Sequence, residues 1–178
     1  MAKTQSKAQV QITRGVFAYL AFIGAAILII VAGLAWWGHV TISNMVTHEL
    51  SVQKIYFPEK GSAALDPETY PGLQQYAGQL VDTPDKAKAY ANEYIGKHLE
   101  QIAGGKTYSE VSTAAKADPT NATLQQQKAV LFQGETLRGI LLTSGYGFGT
   151  IGVIAGIAAF TALGAAALLV CVGYALRR

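Results

Sequence analysis

Two long stretches without formal charge lie near the two ends of the 178-residue chain. Between Arg14 and Glu49 the only Asp, Glu, Lys, Arg or His residues are two histidines, and 139–176 contains none of these types. All eleven acidic residues lie between Glu49 and Glu135. Apolar runs of about 18 residues or more without charge are typical of membrane-spanning helices. The sequence therefore predicts two lipid-soluble ends and one water-soluble middle.

The first apolar run covers 15–38 and is rich in alanine, isoleucine and aromatic residues. At about 1.5 Å per residue it reaches about 36 Å, which exceeds a hydrocarbon core of about 30 Å. Tyr19 near one end and Trp36 and Trp37 at the other are predicted interface anchors, because amphipathic rings prefer the headgroup level. A signal peptide cleaved after Ala35 is the alternative, but the apolar part of a signal peptide spans only about 7–15 residues.

The second apolar run, 139–176, is too long for one crossing and short for two, since each crossing needs about 20 residues. Its first part contains the glycine-rich sequence SGYGFGTIG, Ser144–Gly152, whereas Ile151–Tyr174 is continuously apolar. We therefore predict a glycine-rich approach to the membrane over 139–150 and a single span over 151–174.

Small residues recur in the second span at a spacing of four, beginning with a GxxxG motif. Such patterns allow helix backbones to approach closely in lipid, where packing drives association. The partner could be the first span or another protein, and frequent alanine and glycine could also have no specific role. The predicted helix-packing residues are Gly152, Gly156, Ala158, Ala162 and Ala166.

Basic residues without any acidic neighbour flank both predicted spans. They are Lys3, Lys7 and Arg14 on one side and Arg177 and Arg178 on the other. The positive-inside rule places both flanks in the cytoplasm, which requires an even number of spans. The sequence thus predicts a multi-pass plasma-membrane protein with a cytoplasmic tail over 1–14, an extracytoplasmic domain over 39–138 and a cytoplasmic end over 175–178.

The middle segment is predicted to be mostly helical. Extended structure is expected from Ser51 onward, followed by a proline-rich ordered loop over 58–72. Asp82 or Thr83 can cap the clearest helix, and Gly104-Gly105 ends it. The three predicted helices cover Pro84–Ile102, about Tyr108–Ala117, and Leu124–Leu142. The predicted fold class is a mainly α membrane protein in which two transmembrane helices flank a mostly helical extracytoplasmic domain.

Residues that could carry chemistry are sparse. The three histidines, His39, His48 and His98, form no H-E-x-x-H motif and no pair four residues apart, and there is no cysteine set. We therefore expect no metal site, no cofactor and no enzymatic activity. The sequence GGKTYS, 104–109, is similar to the end of a phosphate-binding loop, but Glu100 stands where that loop needs its first glycine. A helix end followed by a new helix start is the favoured interpretation.

The stretch from Tyr90 to HLEQIAGGKTYSEV, His98–Val111, resembles a family of small actinobacterial membrane proteins of unknown function that share a GGKTY element. The resemblance implies two spans around a mostly helical outer domain, with a charge-poor second span rich in small residues. Members sometimes carry a name taken from a subunit of an aromatic ring-opening dioxygenase. Such enzymes need a non-haem iron site, for which this sequence offers no ligand set.

Two functional hypotheses follow from these features. The first is a non-catalytic accessory or scaffolding subunit of a larger membrane complex, respiratory or envelope-related. The second is an extracytoplasmic ligand-binding or sensing module that uses tyrosines as its contact surface, namely Tyr56, Tyr70, Tyr76, Tyr90 and Tyr94. The expected partners are the lipid bilayer and other membrane proteins, contacted through the spans and the outer domain, and no nucleic acid.

Overall fold

The computed structural model describes residues 2–178, with side chains from Gln9 onward. The side chains of Lys3 and Lys7, which enter the predicted orientation, lie outside this part. The described chain is mainly helical and contains no β-strand beyond one isolated bridge, which confirms the predicted mainly α class. The helices are α1 (Ala2–Val52), α2 (Pro84–Ala89), α3 (Gly96–Ala103), α4 (Tyr108–Ala117), α5 (Ala122–Ile140) and α6 (Phe148–Arg177). Two π-helical segments, Tyr90–Ile95 and Leu141–Gly147, and two 3₁₀ turns, Ala63–Leu65 and Pro71–Tyr76, complete the structure.

Two helical stretches, Gln9–Val52 and Ala122–Arg177, are long and apolar enough to cross a membrane. The described chain forms two compact units. One unit, the helix pair, combines Met1–Thr41 with Ile151–Arg178, and the other, the central unit, covers Ile42–Thr150. In the helix pair α1 and α6 run antiparallel, since Arg177 contacts Tyr19 at one end of the pair and His39 contacts Gly152 at the other.

The central unit begins within α1. Val46 and Leu50, four residues apart on one face of the helix, are both buried in its apolar core. The expectation of extended structure from Ser51 is wrong by two residues, because the helix continues to Val52. The β-branched residues of this segment disfavour a helix only weakly, and the burial of one helical face outweighs that preference.

An extended pair of segments follows α1. Tyr56 and Leu80 form an isolated antiparallel bridge. The N–H of Phe57 donates to the carbonyl of Gln79 over 2.9 Å, and the N–H of Val81 donates to Ile55 over 2.8 Å. This pairing closes the proline-rich loop at its base and buries the side chains of Phe57 and Val81.

The predicted helix over 84–102 is present as three consecutive helical segments, α2, the π segment Tyr90–Ile95 and α3. Thr83 is its N-cap, and its hydroxyl accepts from the N–H of Lys86. Four residues turn an α-helix by about 400°, which is about 40° more than one full turn. Apolar residues spaced four apart would therefore move gradually around a regular α-helix and leave the buried face. The π segment has more residues per turn and corrects this drift. Five residues spaced four apart are therefore all buried: Ala87, Ala91, Ile95, Leu99 and Ala103.

The glycine-rich sequence before the second span is helical and packs within the central unit. A Cβ on Gly145 would lie 2.8 Å from the Cβ of Ala87, and a Cβ on Gly149 would overlap the ring of Pro84. These glycines therefore allow the π segment Leu141–Gly147 and the start of α6 to approach α2 closely. The sequence analysis predicted a glycine-rich segment here and a helix that begins at Pro84. It did not predict that the two pack together.

We expect Gly145→Leu to destabilise the chain by about 1–3 kcal/mol, since a side chain there would overpack the contact with Ala87. Gly139→Leu is the matched control, because a Cβ at Gly139 meets nothing within 4 Å. Thermal unfolding of the full chain in mild detergent, followed by circular dichroism, measures the difference. Equal midpoints for the two variants would contradict this packing.

Candidate functional site

The contact surface of α1 in the helix pair is lined mainly by alanine. The contact residues follow one another at spacings that alternate between three and four. In chain order they are Ala18, Ala21, Ala25, Leu28, Ala32 and Ala35, of which Leu28 and Ala35 are half-buried and the others are buried. A repeat averaging 3.5 residues keeps one face of a helix directed at its partner. We call this face together with its counterpart on α6 the small-residue seam. The sequence analysis missed the α1 half, although the alternating spacing of its alanines is visible in the sequence.

The α6 half of the seam contains four of the five predicted helix-packing residues. Gly152, Gly156, Ala162 and Ala166 are buried, and they face α1 rather than remaining available for another protein. Ala158 is exposed and does not face α1. Ala159, only 2% exposed, occupies the contact position instead. At about 100° per residue, Ala158 lies about 240° around the helix from Gly152, whereas Ala159, seven residues after Gly152, lies within about 20° of it.

Close approach along the seam depends on glycine at three levels. A Cβ at Gly173 would lie 2.9 Å from the ring of Phe22, and a Cβ at Gly24 would lie 3.2 Å from Leu169. A Cβ at Gly156 would lie 3.0 Å from Nδ1 of His39. Large side chains of one helix therefore rest on the bare backbone of the other, which is the usual way that small residues stabilise helix pairs in lipid.

His39 makes the one side-chain hydrogen bond to the opposite helix's backbone in the described part of the pair. Its Nδ1 lies 2.8 Å from the carbonyl oxygen of Gly152. Because a carbonyl oxygen only accepts, Nδ1 is the donor in this hydrogen bond. The ring of Trp36 packs on the His39 ring at 5.1 Å and on the Phe160 ring at 5.6 Å. Side-chain hydrogen bonds between helices contribute about 0.6 kcal/mol on average in membranes. His39 therefore helps to fix the packing and the register of α1 against α6.

The predicted interface anchors lie at opposite ends of the pair. Tyr19 lies beside Arg177, whose Nη2 donates to its hydroxyl over 3.3 Å. Trp36 and Trp37 lie at the other end, where Trp37 is 69% exposed. Their placement at the headgroup level stays a prediction.

Leucine substitutions at adjacent alanines test the seam. Ala159→Leu should destabilise the helix pair by about 1–3 kcal/mol, because the added side chain would overpack the contact with α1. Ala158→Leu, the neighbouring position predicted from sequence, should change stability by less than about 0.5 kcal/mol because it is exposed. Thermal denaturation in one detergent compares the two variants, and a larger loss for Ala158→Leu would reject the assigned face.

A cleft in the central unit contains the GGKTYS sequence. Its volume is about 450 Å³, and α3, α4 and α5 contribute its walls. Lys106, Glu100 and Arg138 line it, so both signs of charge are present. Arg138 donates through Nη1 to the carboxylate of Glu135 over 3.1 Å and through Nη2 to Asn92 over 3.3 Å. These bonds direct the guanidinium to protein partners.

The GGKTYS sequence itself is a helix end followed by a helix start, as predicted. Gly104 closes α3 in the left-handed conformation, with φ of 59°, which glycine adopts at little cost. Thr107 caps α4, and with Glu110 it forms a reciprocal capping box. The carboxylate of Glu110 accepts from the N–H and the hydroxyl of Thr107 over 2.7 and 2.8 Å. The Thr107 donors are thus already engaged within the protein.

The capping box predicts a pH dependence. The backbone hydrogen bond from Thr107 lowers the pKa of Glu110 below its ordinary value of 4.5, and the Thr107 hydroxyl lowers it further. A group whose folded pKa is lowered stabilises the fold above its unfolded pKa and loses that contribution as the pH falls through the folded value. Below about pH 4.5 the unfolding midpoint of the native chain should therefore fall more steeply than that of Glu110→Gln.

Thermal scans at a series of acidic pH values check this difference in slope. Glu100→Gln, on the facing helix α3, is the control and should keep the native slope. Parallel curves for the native chain and Glu110→Gln would contradict the role of the capping box.

The tyrosines proposed as a contact surface mostly pack into the central core. Tyr90 and Tyr94 have ring centroids 4.9 Å apart, Tyr70 lies 5.5 Å from Tyr94, and Phe57 stacks on Tyr76 at 5.2 Å. Burial raises the pKa of Tyr70 and Tyr90, and proximity to Tyr94 raises it further. Of the five tyrosines only Tyr56, 56% exposed, faces outward.

A different aromatic pair lies on the surface of the central unit. Tyr108 on α4 and Phe132 on α5 have ring centroids 5.9 Å apart, and Phe132 is 59% exposed. They line a groove of about 350 Å³ together with Lys128. We call this the α4–α5 groove. The sequence analysis did not single it out, because neither helix shows a continuous apolar outer face.

The histidines are not brought together. His48 and His98 are exposed, whereas His39 is part of the seam. Among residues 2–178 no group of three or more His, Cys, Asp or Glu side chains is arranged to hold a metal ion.

No protein-family model, curated protein or solved structure matches the chain. The resemblance to small actinobacterial membrane proteins stays a prediction.

Proposed function

We propose that the chain is an integral membrane protein that crosses the bilayer over 15–38 and 151–174 and serves as a non-catalytic accessory or scaffolding subunit of a larger membrane complex. The central unit is then extracytoplasmic and both termini lie in the cytoplasm of a multi-pass plasma-membrane protein. The partners are lipid and other membrane proteins.

Membrane insertion is supported by the outer surface of the helix pair. Large apolar side chains point outward along both helices, among them Ile30, Leu34, Phe160 and Leu168, the last 69% exposed. Soluble monomers rarely expose a continuous apolar patch larger than a few hundred Å². Because the small residues already face each other across the seam, this outward surface is the one that lipid or a partner helix would cover. This observation carries the proposal.

The orientation is supported by the basic residues. Arg14 from α1 and Arg177 and Arg178 from the end of α6 line the same cleft of the helix pair. Both basic flanks therefore lie on one side of any bilayer that the pair crosses. The positive-inside rule assigns that side to the cytoplasm.

A role in an assembly is supported by the α4–α5 groove. Exposed aromatic residues are enriched in protein interfaces, and Tyr108 and Phe132 form such a pair beside Lys128. The helix pair contains no Asp or Glu, and the described residues contain no metal-binding cluster. Structural support of a partner requires neither.

The topology is tested with reporter fusions in the full chain. Alkaline phosphatase, which folds only outside the cytoplasm, should be active when inserted at Gly105 and inactive when fused after Arg178. A cytoplasmic reporter that is active at Gly105 would overturn the proposed topology.

The accessory role is tested by purification in mild detergent. We expect a stoichiometric partner to co-purify with the native chain and to be reduced about tenfold or more by Phe132→Ala, since aromatic residues at an interface often contribute 2 kcal/mol or more. Tyr56→Ala is the matched control, because Tyr56 is similarly exposed, at 56%. A native chain that purifies alone in a folded state would overturn the proposal.

A ligand-binding module is the second candidate, and the cleft beside Arg138 is the feature that favours it. Its volume of about 450 Å³ falls within the range of small-molecule sites. A small molecule that raises the unfolding midpoint of the native chain but not of Ser109→Trp, a substitution at an exposed residue that lines the cleft, would favour this function over the accessory role.

A further inference from the structure

Three arginines converge at one end of the helix pair. Arg14, Arg177 and Arg178 line a cleft of about 420 Å³, together with Gln11 and Gly15. The helix pair contains no Asp or Glu at all, because every acidic residue of the sequence lies between Glu49 and Glu135. The guanidinium groups therefore have no carboxylate side chain in their own unit to neutralise them.

One of these arginines is held in place by aromatic rings. Arg177 donates to the hydroxyl of Tyr19 over 3.3 Å, and its guanidinium lies 5.2 Å from the Tyr19 ring and 5.7 Å from the Phe22 ring. Stacking of this kind restricts the arginine without neutralising it. A guanidinium that is fixed in position but keeps its charge is suited to bidentate hydrogen bonds with phosphate oxygens.

A second, more apolar cleft adjoins the first. It has a volume of about 410 Å³ and shares Val10, Arg14 and Leu176 with the arginine cleft, while Phe17 extends its apolar wall along α1. The arginine cleft thus continues along the surface of the pair into a second one, where Gln9 and Thr13 lie beside the apolar side chains of Val10, Phe17 and Leu176. That combination matches a molecule with an anionic head and a hydrocarbon tail.

We propose that this end of the helix pair is a binding site for an anionic phospholipid, whose phosphate contacts Arg14, Arg177 and Arg178 and whose chain lies against Val10, Phe17 and Leu176. The site rests on the membrane insertion proposed above. Basic residues at the membrane surface attract anionic lipids, but here they also line a defined cavity that joins the two helices. The bound lipid would bridge α1 and α6 where the seam ends.

The test uses the full chain in detergent, titrated with phosphatidylglycerol or phosphatidylcholine of identical acyl chains and followed by native mass spectrometry. We expect phosphatidylglycerol to bind more tightly, and each of Arg14→Gln, Arg177→Gln and Arg178→Gln to weaken its binding about fivefold, from the contribution of one basic residue near an anionic lipid surface. The matched control is a triple variant, Lys54→Gln with Lys60→Gln and Lys116→Gln, which removes three exposed charges of the central unit. It should leave lipid binding unchanged.

Gly15→Leu separates the cavity from its charge. A Cβ at Gly15 meets no atom within 4 Å, and Gly15 lines the cleft, so a leucine there adds bulk to the cleft while every arginine remains. We expect Gly15→Leu to weaken phosphatidylglycerol binding about tenfold or more with an unchanged circular dichroism spectrum.

Three lipid-binding results would overturn the site, and competition by phosphate is a fourth. The first three are equal binding of the two lipids, loss of binding in the lysine control equal to that in the arginine variants, and full binding by Gly15→Leu. Inorganic phosphate that competes at the same concentration as the lipid would assign the arginines to a free anion and reject a lipid site. Membrane insertion is measured separately, by resistance of the native chain to alkaline extraction, so its failure is distinguishable from absence of the lipid site.

Discussion

The helix pair depends on the small size of most side chains at its contact. α1 presents alanines and α6 presents glycines and alanines, so the two backbones approach closely and large groups such as Phe22 and His39 rest on bare glycine. In lipid the expulsion of water does not drive two apolar helices together, and dispersion contacts with few interhelical hydrogen bonds must suffice. The large side chains are consequently directed outward. The same arrangement that stabilises the pair therefore determines which apolar surface faces outward.

The central unit also uses glycines for close approach, but within a core of larger side chains. Gly145 and Gly149 bring the chain against Ala87 and Pro84, but the surrounding core consists of large residues such as Phe57, Leu73 and Leu131. No disulfide contributes, since Cys171 is the sole cysteine of the sequence. Apolar burial and the aromatic cluster of Tyr70, Tyr90 and Tyr94 must therefore stabilise the unit. This explains why tyrosines that resemble a recognition surface in the sequence belong mostly to its interior.

The elements that depend on local chemistry could be predicted from the sequence. Helix α4 has the predicted bounds Tyr108–Ala117, and Gly104 ends α3 as expected. The features that the sequence analysis did not predict correctly depend on tertiary contacts. Ala158 and Ala159 are chemically identical. Which of them is buried depends only on the side of α6 against which α1 packs. Similarly, the burial of Val46 and Leu50 extends α1 past Ser51, and the pairing of Tyr108 with Phe132 requires two helices that are separate in sequence.

The two π segments carry a consequence for how this sequence can change. A π segment is equivalent to an α-helix that has gained one residue, a change that a single inserted codon produces. Between Ala87 and Ala103 the extra residue keeps a spacing of four on one face, and the same spacing recurs at Leu141, Gly145 and Gly149. Removal of one residue from either segment would restore regular α-helix and rotate every following side chain by about 100°. Relatives of this chain should therefore tolerate substitutions within these segments more readily than changes in their length.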